Sequence, residues 1–486
     1  MKRIISLWIL VFFLLGCSKK FIDLTPISNS NIEGFYKSEG DFTNAIVGAY
    51  ATLRSGGVYS DNVQLVGDLR SDNTEMGTTA ASRFDYYNMS LFRLSTDNAI
   101  TESIWNNHYV GVVRVNQILD RIDKLDADES FKGRIKGEAK FLRALFYFNL
   151  VRIFGDVPLV TKVLNTIEES YATGRTPKSE IYKQIVDDLK DASQHLPVSV
   201  TKEEGRATKG AALSLLGKVY LTIPDFQNAK AVLEEVINMN QYQLLPDYTS
   251  LWKVANKNSK ESIFEVQFKR EASGGTGSSF CERYTPYLYP YLSYYSTSGG
   301  FNIPTEDLIA AYEPNDLRRN ASLKESYIAP DGTLVTGLQG RFCIKYYDIP
   351  VSGQGSNDNW PVIRYADVLL MYAESLNEIS FVPNGPAFVY LNMIRSRAGL
   401  PEKSTNNPDT DLSIDTQDQF RKAVWQERRV ELAFEGHRWF DLVRTGQAVT
   451  VLSSMKGIDI KDYQLVLPIP QSQVDINPEI KQNPGY

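Results

Sequence analysis

Three glutamates near the carboxyl terminus have the spacing that acid–base chemistry on a helix would need. Glu427, Glu431 and Glu435 lie four residues apart, so one helix face could present all three carboxylates. Two carboxylates that flank a scissile bond are the usual machinery of glycoside hydrolysis. Arginines are interleaved with these glutamates, however, and a neighbouring cation keeps a carboxylate ionised and unreactive. The segment therefore favours a buried network of ion pairs over a catalytic pair.

Other signatures of catalysis or metal binding do not occur in the sequence. It has no His-Glu-x-x-His pattern, no phosphate-binding loop of the Walker type and no Gly-x-Ser-x-Gly turn. Oxygen-bearing side chains alternate over 409–415 as in a calcium loop. However, Ile414 stands where the turn glycine belongs, and Phe420 where the bidentate glutamate belongs. We therefore predict no catalytic residue, no metal site and no cofactor.

A segment that begins at Tyr284 is rich in tyrosine. Six of its twelve residues are tyrosines, and its two prolines argue against a central strand. In an extended loop alternate residues point to the same side, so the odd-numbered rings over 287–291 would form one surface. Rings with hydroxyl groups suit the faces of sugars or extended peptides. The candidate ligand-binding residues here are Tyr287, Tyr289, Tyr291, Tyr294 and Tyr295.

A second candidate ligand-binding segment covers residues 68–88. It places hydrogen-bonding side chains beside aromatic rings, which is the mixture that orients a polar ligand on an apolar platform. Its candidate residues are Asp72, Asn73, Arg83, Tyr86, Tyr87 and Asn88. The sequence alone does not indicate whether the two segments lie close together.

Helical periodicity dominates the elements that must position these residues. Leu213, Leu216, Gly217 and Tyr220 match the first helix of a tetratricopeptide repeat, and Ala229 falls where its second helix needs a small residue. Gly217 and Ala229 would let two antiparallel helices approach closely. The pattern predicts one clear helix pair within a larger helical scaffold.

The region from about 240 to 360 has a different composition. Glycine, serine, asparagine and proline separate short apolar runs, of which 262–268 alternates like a half-buried strand. Helical patterns resume at Arg364. Thr416 and Gln419 then have the spacing of a capping box at the start of another helix. We therefore predict a loop-rich, partly β insertion between two helical parts.

The overall composition is that of a folded chain with a large core. It has 486 residues, of which 43% are hydrophobic and 12% aromatic, which is too apolar for a chain that is disordered throughout. A net charge of −6 provides no basic field to attract nucleic acid, and three cysteines are too few for a disulfide framework. Cys281 and Cys343 could form a disulfide or remain buried thiols, and the sequence leaves both possibilities open.

The first residues have the pattern of an export signal. Two basic residues precede an apolar stretch over 4–15, which is too short to span a bilayer as a helix. Leu14-Leu15-Gly16-Cys17 resembles the lipobox of bacterial lipoproteins, which implies cleavage before Cys17 and lipidation of its thiol. A plain secretory signal with an incidental cysteine is the alternative. We predict a signal peptide over 1–16 and a lipidated cysteine with a tether over 17–33.

Several blocks of the sequence resemble the SusD/RagB family of surface nutrient-binding lipoproteins. The most specific block begins at Trp425 and reads Trp-Gln-Glu-Arg-Arg-Val-Glu-Leu-Ala-Phe-Glu-Gly-His-Arg-Trp-Phe-Asp-Leu-Val-Arg. Further similar blocks cover 138–144, 154–158, 364–370, 394–400, 467–470 and 483–486. Together with the lipobox, the resemblance extends over nearly the whole chain.

This resemblance implies a mainly α fold, with tetratricopeptide-like helix pairs in an α–α superhelix that supports a loop-rich ligand face. It also implies binding without catalysis, at the outer membrane and facing the cell exterior. The implied partner is a SusC-like TonB-dependent transporter, to which oligosaccharides or peptides are delivered. A glycan-degrading enzyme that uses Glu427 and Glu431, a RagB-like peptide-binding protein and a purely protein-binding scaffold remain the alternatives. The predicted globular unit is 34–486, with an amino-terminal helical part over 34–240, a variable part over 241–360 and a carboxy-terminal helical part over 361–486.

Overall fold

The computed structural model describes residues 32–78, 83–200, 204–271, 276–292, 299–350 and 354–486. The predicted signal peptide, Cys17 and all but the end of the tether lie outside the described residues, as do Tyr294 and Tyr295. Within the described part, no helix is both long enough and apolar enough to cross a membrane.

Helices form most of the described chain, which confirms the predicted mainly α fold. The amino-terminal helices are α1 (Ile32–Phe35), α2 (Glu39–Ala51), α3 (Asn62–Leu69), α4 (Phe84–Ser90), α5 (Ala99–Leu119), α6 (Glu129–Phe154), α7 (Ile167–Tyr171), α8 (Lys178–His195), α9 (Lys209–Thr222) and α10 (Phe226–Asn238). The later helices are α11 (Phe280–Tyr284), α12 (Glu306–Ala311), α13 (Leu317–Ser322), α14 (Tyr365–Ile379), α15 (Pro386–Arg397), α16 (Gln417–Glu431), α17 (Arg438–Arg444), α18 (Ala448–Lys456) and α19 (Gln471–Ile476).

Side-chain caps fix where some of these helices begin. The predicted capping box of α16 is confirmed, because the Thr416 hydroxyl accepts from the Gln419 amide at 3.2 Å while Gln419 Oε1 accepts from the Thr416 amide at 3.0 Å. Ser38 and Asp41 form the same reciprocal arrangement at the start of α2. Each box satisfies backbone amides that the first turn of a helix leaves without partners.

Neighbouring helices pack in a continuous series. Helix α5 packs on α6, α6 on α8, α8 on α9 and α9 on α10, and α10 then contacts α14, which packs on α15 and α16. The predicted helix pair is α9 with α10, in which Ala229 is fully buried. A Cβ atom on Gly217 would lie 2.5 Å from Leu233 Cδ2, so only glycine permits this helix separation. The structure therefore confirms the tetratricopeptide-like packing that the sequence indicates.

Short strands occupy the region between the two helical parts. In the described ranges, the strands are β1 (Thr74–Glu75), β2 (Ser262–Val266), β3 (Ile303–Pro304), β4 (Leu323–Lys324), β5 (Tyr327–Ile328), β6 (Leu334–Val335), β7 (Phe342–Cys343) and β8 (Trp360–Arg364). They form four antiparallel pairs, β1–β3, β2–β8, β4–β7 and β5–β6. The alternating run after residue 261 is thus a strand, although it ends at Val266.

One cluster of buried apolar side chains extends from Phe42 to Ile480, and the amino-terminal and carboxy-terminal helices share it. A smaller cluster holds Cys281, Tyr289, Leu292 and Phe342. The structure resolves the choice that the sequence leaves open for the cysteines, since Cys281 and Cys343 are both free, buried thiols. Burial raises the pKa of Cys343 to about 12, so the thiol stays protonated and unreactive.

Candidate functional site

The two candidate ligand-binding segments lie next to each other. Strand β1 pairs with β3 in a register that sets Thr74 opposite Pro304. Beyond the end of β1, the Gly77 amide donates a hydrogen bond to the Gly300 carbonyl at 2.8 Å. Backbone hydrogen bonds therefore join the loop around residues 68–88 to the tyrosine-rich loop, more than two hundred residues away in sequence.

Arg83 connects the two loops through its side chain. Its guanidinium group lies 5.2 Å from the centre of the Tyr287 ring and 4.5 Å from that of Phe301, and it donates to the Gly299 carbonyl. Gly300 has φ +89°, a conformation that residues with a Cβ rarely adopt. A Cβ on Gly299 would collide with the backbone of 285–286. This pair of glycines lets the tyrosine-rich chain fold closely against Arg83.

Tyr86 is held at the same junction. Its hydroxyl donates to Asp61 Oδ2 at 3.0 Å and to Asn62 Oδ1 at 2.9 Å, while its ring packs edge-on against Phe301. Burial, together with the charge of Asp61, raises the pKa of the Tyr86 hydroxyl, so it remains a neutral donor. The neighbouring Tyr87 and Asn88 are half-buried.

The tyrosine-rich loop is not the extended chain that its alternation predicts. Leu288 has φ +62°, and a 3₁₀ turn over Pro290–Leu292 follows it, so the rings do not share one side. Tyr289 is 5% exposed and packs against Tyr327 and Phe342. Tyr291 is 50% exposed. The expectation of a single surface of three rings is therefore wrong, because the chain turns between them.

Tyr291 is nevertheless rigidly placed. Its hydroxyl donates to the Ile328 carbonyl at 2.6 Å, and its ring packs edge-on against Tyr289 at 5.4 Å. Exposed apolar side chains, together with the half-buried Tyr287, occur in the segments that meet here. We name the set Phe84, Tyr287, Leu288, Tyr291, Ile328 and Leu334 the aromatic rim. The rim presents ring faces and apolar edges to solvent from a fixed backbone, which suits a ligand with alternating apolar and hydroxylated faces.

Sequence reasoning missed four members of this rim. Phe84, Leu288, Ile328 and Leu334 are each more than half exposed. Phe84 and Leu288 lie inside the two candidate segments, and a large apolar residue within a polar loop was the available signal. Ile328 and Leu334 face each other across the β5–β6 pair, and no local pattern marks that short hairpin.

Asp72 and Asn73, two of the predicted ligand-binding residues, are enclosed by protein. Asp72 is 1% exposed and receives two hydrogen bonds of 2.8 Å from Arg438. Asn73 Oδ1 accepts from Arg429 Nε at 2.9 Å. Burial alone would raise the pKa of Asp72, but the hydrogen bonds and charge of Arg438 outweigh it and lower the pKa. These two residues attach the first loop to the carboxy-terminal helices.

The glutamate cluster forms a buried ion-pair network, as the interleaved arginines indicate. Glu431 contacts Arg364 at 2.6 Å, Arg318 at 3.1 Å and Arg397, and it is fully buried. Burial would raise the pKa of Glu431, but the charges of these three arginines lower it well below its ordinary value. The carboxylate is therefore permanently ionised and shielded from solvent.

The other two glutamates extend the same network. Glu427 contacts Arg318 at 2.6 Å, and Glu435 contacts Arg364 and Lys345, both at 2.7 Å. Helix α16 ends at Glu431, and Phe434 has φ +65°, so Glu435 follows a turn and does not continue the helix face. The expectation that all three lie on one helix face is wrong, although they do share their partners.

A groove of about 1410 Å³ is lined by residues from 246–249, 306–326, 336–341 and Arg397. Arg341 lines it and is paired with Glu75 of β1 at 3.2 Å.

The segment 409–415 is a hydrogen-bonded loop in which Asp415 accepts from the Asn406 amide at 2.7 Å and from the Ser413 hydroxyl at 2.8 Å. Among the described residues, no group of three or more His, Cys, Asp or Glu could hold a metal ion.

Comparisons with known proteins agree with the fold. The profile described as "SusD family" matches residues 332–486, and the profile described as "Starch-binding associating with outer membrane" matches residues 20–221. SusD-like protein P2 of Formosa agariphila is 29% identical over the whole of both chains. The starch-binding protein SusD of Bacteroides thetaiotaomicron is 23% identical, with 79% of this chain and 78% of that protein covered.

Solved structures extend the comparison to three dimensions. A "Laminarin binding SusD-like protein" is similar with a TM-score of 0.78 and 31% identity, covering 93% of this chain and all of that one. The surface glycan-binding protein A of Bacteroides thetaiotaomicron, solved with laminarihexaose, is similar with a TM-score of 0.77 and 25% identity, covering 91% of this chain and 99% of that one. The blocks of sequence, the helical scaffold and these likenesses agree, and the chain belongs to the SusD/RagB family.

Proposed function

We propose that this protein is a lipid-anchored outer-membrane protein that binds oligosaccharides at the cell surface. It delivers them, without cleaving them, to a SusC-like TonB-dependent transporter. Membership of the SusD/RagB family supports the proposal, since the relatives named above include proteins that bind starch and laminarin. The lipobox-like sequence that ends at Cys17 supports the anchor.

The observation that carries the proposed ligand site is the fixed, half-exposed ring of Tyr291. Its bond to the Ile328 carbonyl holds the ring in place before a ligand arrives, so little conformational entropy is lost on binding. We propose that Tyr287 and Tyr291 stack on sugar faces and that Tyr86 orients hydroxyl groups, whereas Arg83, which is buried, positions the Tyr287 ring. Tyr87, Asn88, Tyr294 and Tyr295 remain candidates, and Tyr289 supports the ring of Tyr291. Asp72 and Asn73 are not among the proposed contacts because they are buried.

The environment of the glutamates supports a role without catalysis. A general acid for glycoside hydrolysis needs a raised pKa and access to the scissile oxygen. Glu431 has a lowered pKa and no exposed surface, and Arg318, which also contacts Glu427, is fully buried as well. The predicted alternative of a glycan-degrading enzyme at Glu427 and Glu431 therefore lacks the geometry that this chemistry requires.

Affinity electrophoresis against a panel of glycans and peptides tests the proposal. The mature protein is expected to be retarded by at least one glycan, and Tyr291→Ala is expected to weaken this binding about two- to twelvefold, which corresponds to about 0.5–1.5 kcal/mol for one aromatic contact. The matched control is Tyr171→Ala, since Tyr171 is 46% exposed on α7. Retardation by peptides alone would favour the RagB-like alternative, and an equal loss of affinity in both variants would contradict the proposed site.

The transporter partner requires its own experiment. The protein is expected to co-purify with an outer-membrane barrel from detergent-solubilised membranes of its native cells. Glycan binding in the absence of any co-purifying barrel would contradict delivery while leaving the ligand site intact.

A further inference from the structure

An apolar groove runs along α5, and it includes none of the residues of the aromatic rim. Its volume is about 660 Å³. Val110 and Val113 of α5 line one side, Tyr171 lines another, and Ile476 of α19 closes the end; each of the four is between 46% and 58% exposed. An apolar surface of this kind, open to solvent, usually marks a binding site.

The charges around this groove have one sign. Arg114 and Lys162 are the charged residues among those that line it, and both are exposed. Within the groove, Gln117 Oε1 is buried and accepts no hydrogen bond from any described residue. The groove thus offers apolar contacts, a cationic edge and one acceptor for a backbone amide.

The described chain begins near one end of the groove. Tyr36, which follows α1, lies under the guanidinium group of Arg121 at 5.4 Å. Arg121 in turn donates to the Gln117 carbonyl at 3.1 Å. Two contacts therefore connect the first described segment to a residue that lines the groove.

The preceding residues have a matching composition and sufficient length. The sequence 21–27 reads Phe-Ile-Asp-Leu-Thr-Pro-Ile, with four apolar side chains and one acidic group. Residues 21–31 can span about 36 Å when extended, at about 3.3 Å for each residue. The stretch of α5 from Trp105 to Gln117 is only about 18 Å long, at 1.5 Å for each residue. The segment can therefore reach the whole groove.

We propose that residues 21–27 of this chain dock into the α5 groove, with Phe21, Ile22, Leu24 and Ile27 as the apolar contacts and Asp23 beside Arg114 or Lys162. A docked tether leaves the globular part at a fixed point, so that a lipid on Cys17 would orient the protein on the membrane. The docking of residues 21–27 does not depend on glycan binding. The orientation of the protein on the membrane rests on the proposed lipidation of Cys17.

Site-specific photo-crosslinking in cells that produce the full-length protein tests this docking. p-Benzoylphenylalanine at position 24 is expected to form crosslinks, within one chain, to 105–117, 158–173 or 473–480. The same probe at position 30 is the matched control and is expected to give at least fivefold less crosslinking to these segments.

A substitution in the groove completes the test. Val113→Asp places a charge on an exposed position, so the fold is expected to persist, and crosslinking from position 24 is expected to fall at least fivefold. If the melting temperature of Val113→Asp falls, Val110→Asp replaces it. Crosslinks to a second copy, to a barrel partner or to another face of the chain would overturn the proposal, as would equal crosslinking in the groove variants. Glycan retardation of each variant, measured in parallel, distinguishes this outcome from a failure of the ligand site.

Discussion

Tyr289 and Tyr291 are two residues apart, yet their surroundings give them different roles. Tyr289 packs within a buried cluster with Phe342, and its hydroxyl lies 3.0 Å from that of Tyr347. Tyr291 turns one face to solvent. The left-handed conformation of Leu288 and the 3₁₀ turn after it separate the two rings. The division between an exposed ring, which we propose as a ligand contact, and a buried supporting ring is therefore a property of the backbone.

We expect this division to appear in stability measurements. Tyr289→Ala should lower the free energy of unfolding by about 3–5 kcal/mol, the range for removing a large aromatic side chain from a core. Tyr291→Ala should change it by less than about 1 kcal/mol, because an exposed ring contributes little to folding. Urea denaturation of both variants checks this, and equal losses would contradict the assigned roles.

Neutralising the buried carboxylate of Glu431 should lower the free energy of unfolding far more than neutralising an exposed carboxylate. Glu431→Gln removes the buried carboxylate that Arg364, Arg318 and Arg397 share, so we expect a loss of about 3–5 kcal/mol in unfolding free energy. The matched control is Glu325→Gln, whose pair with Arg319 is solvent-exposed and should contribute at most about 1 kcal/mol. Similar losses in the two variants would show that the network does not stabilise the fold.

Asp68 should give the protein a measurable pH dependence. Burial raises the pKa of Asp68 to about 7, and the negative charge of Glu435 acts in the same direction. Hydrogen bonds from Asn302 and the Gly436 amide, and the positive charge of Lys345, lower the pKa but do not outweigh burial. Between about pH 4 and pH 7, the Asp68 carboxyl therefore keeps a proton in the folded protein that it loses in the unfolded chain. The stabilisation from Asp68 is therefore full below pH 4 and is lost as the pH rises through about 7.

Asp68→Asn tests this assignment. The amide cannot titrate, so between pH 4 and pH 8 the variant should gain stability relative to the parent protein, by up to about 4 kcal/mol for a shift of about three pH units. Denaturant unfolding at several pH values measures the difference. Parallel pH profiles for the two proteins would contradict the raised pKa.

The sequence specified residue-level features only where the signal was local. Interleaved arginines correctly indicated that Glu427, Glu431 and Glu435 would be paired. The side-chain partners lie up to 113 residues away, as Arg318 shows by contacting Glu431. No spacing rule predicts which distant arginine reaches a given glutamate, because the tertiary packing decides it.

At the scale of elements, the close approach of α9 and α10 depends on a glycine. Gly217→Ala would bring a Cβ within 2.5 Å of the Leu233 side chain, and overpacking of this kind costs about 1–3 kcal/mol. That cost is expected to exceed the gain of about 1 kcal/mol that alanine brings to a helix interior. The melting temperature should fall.

Gly48→Ala is the matched control for this prediction. Gly48 also lies inside a helix, α2, but a Cβ there would meet nothing within 4 Å. It should therefore raise the free energy of unfolding by up to about 1 kcal/mol. Opposite signs for the two variants support the packing account, and a stabilising Gly217→Ala would contradict it.

Elements with periodic or capping signals were predictable, and those without them were not. The α9–α10 pair and the Thr416–Gln419 cap follow from patterns within one or two helical turns. The two-residue strands β1 and β3 carry no such pattern, and they exist because distant loops meet. The alternation of the tyrosines was misleading because it assumed an extended chain, whereas Leu288 turns the backbone.

Across the whole molecule, the carboxy-terminal helices hold the loop that carries part of the proposed ligand face. Asp72 pairs with Arg438, Asn73 with Arg429, and Asp68 accepts from the Gly436 amide at about 3.2 Å. The same loop then pairs with the tyrosine-rich loop through β1 and β3. Three distant parts of the sequence therefore build one surface, which explains why the sequence revealed its components but not their assembly.

We propose that this surface binds a glycan and leaves it intact. The most direct measurement is isothermal titration calorimetry of the mature protein with laminarihexaose and a panel of other oligosaccharides, followed by chromatography of the recovered ligand. We expect saturable binding of at least one oligosaccharide, loss of affinity in Tyr291→Ala, and ligand recovered at its original length. Shortened ligand, or a correctly folded protein that gives no binding heat with any glycan, would contradict the account.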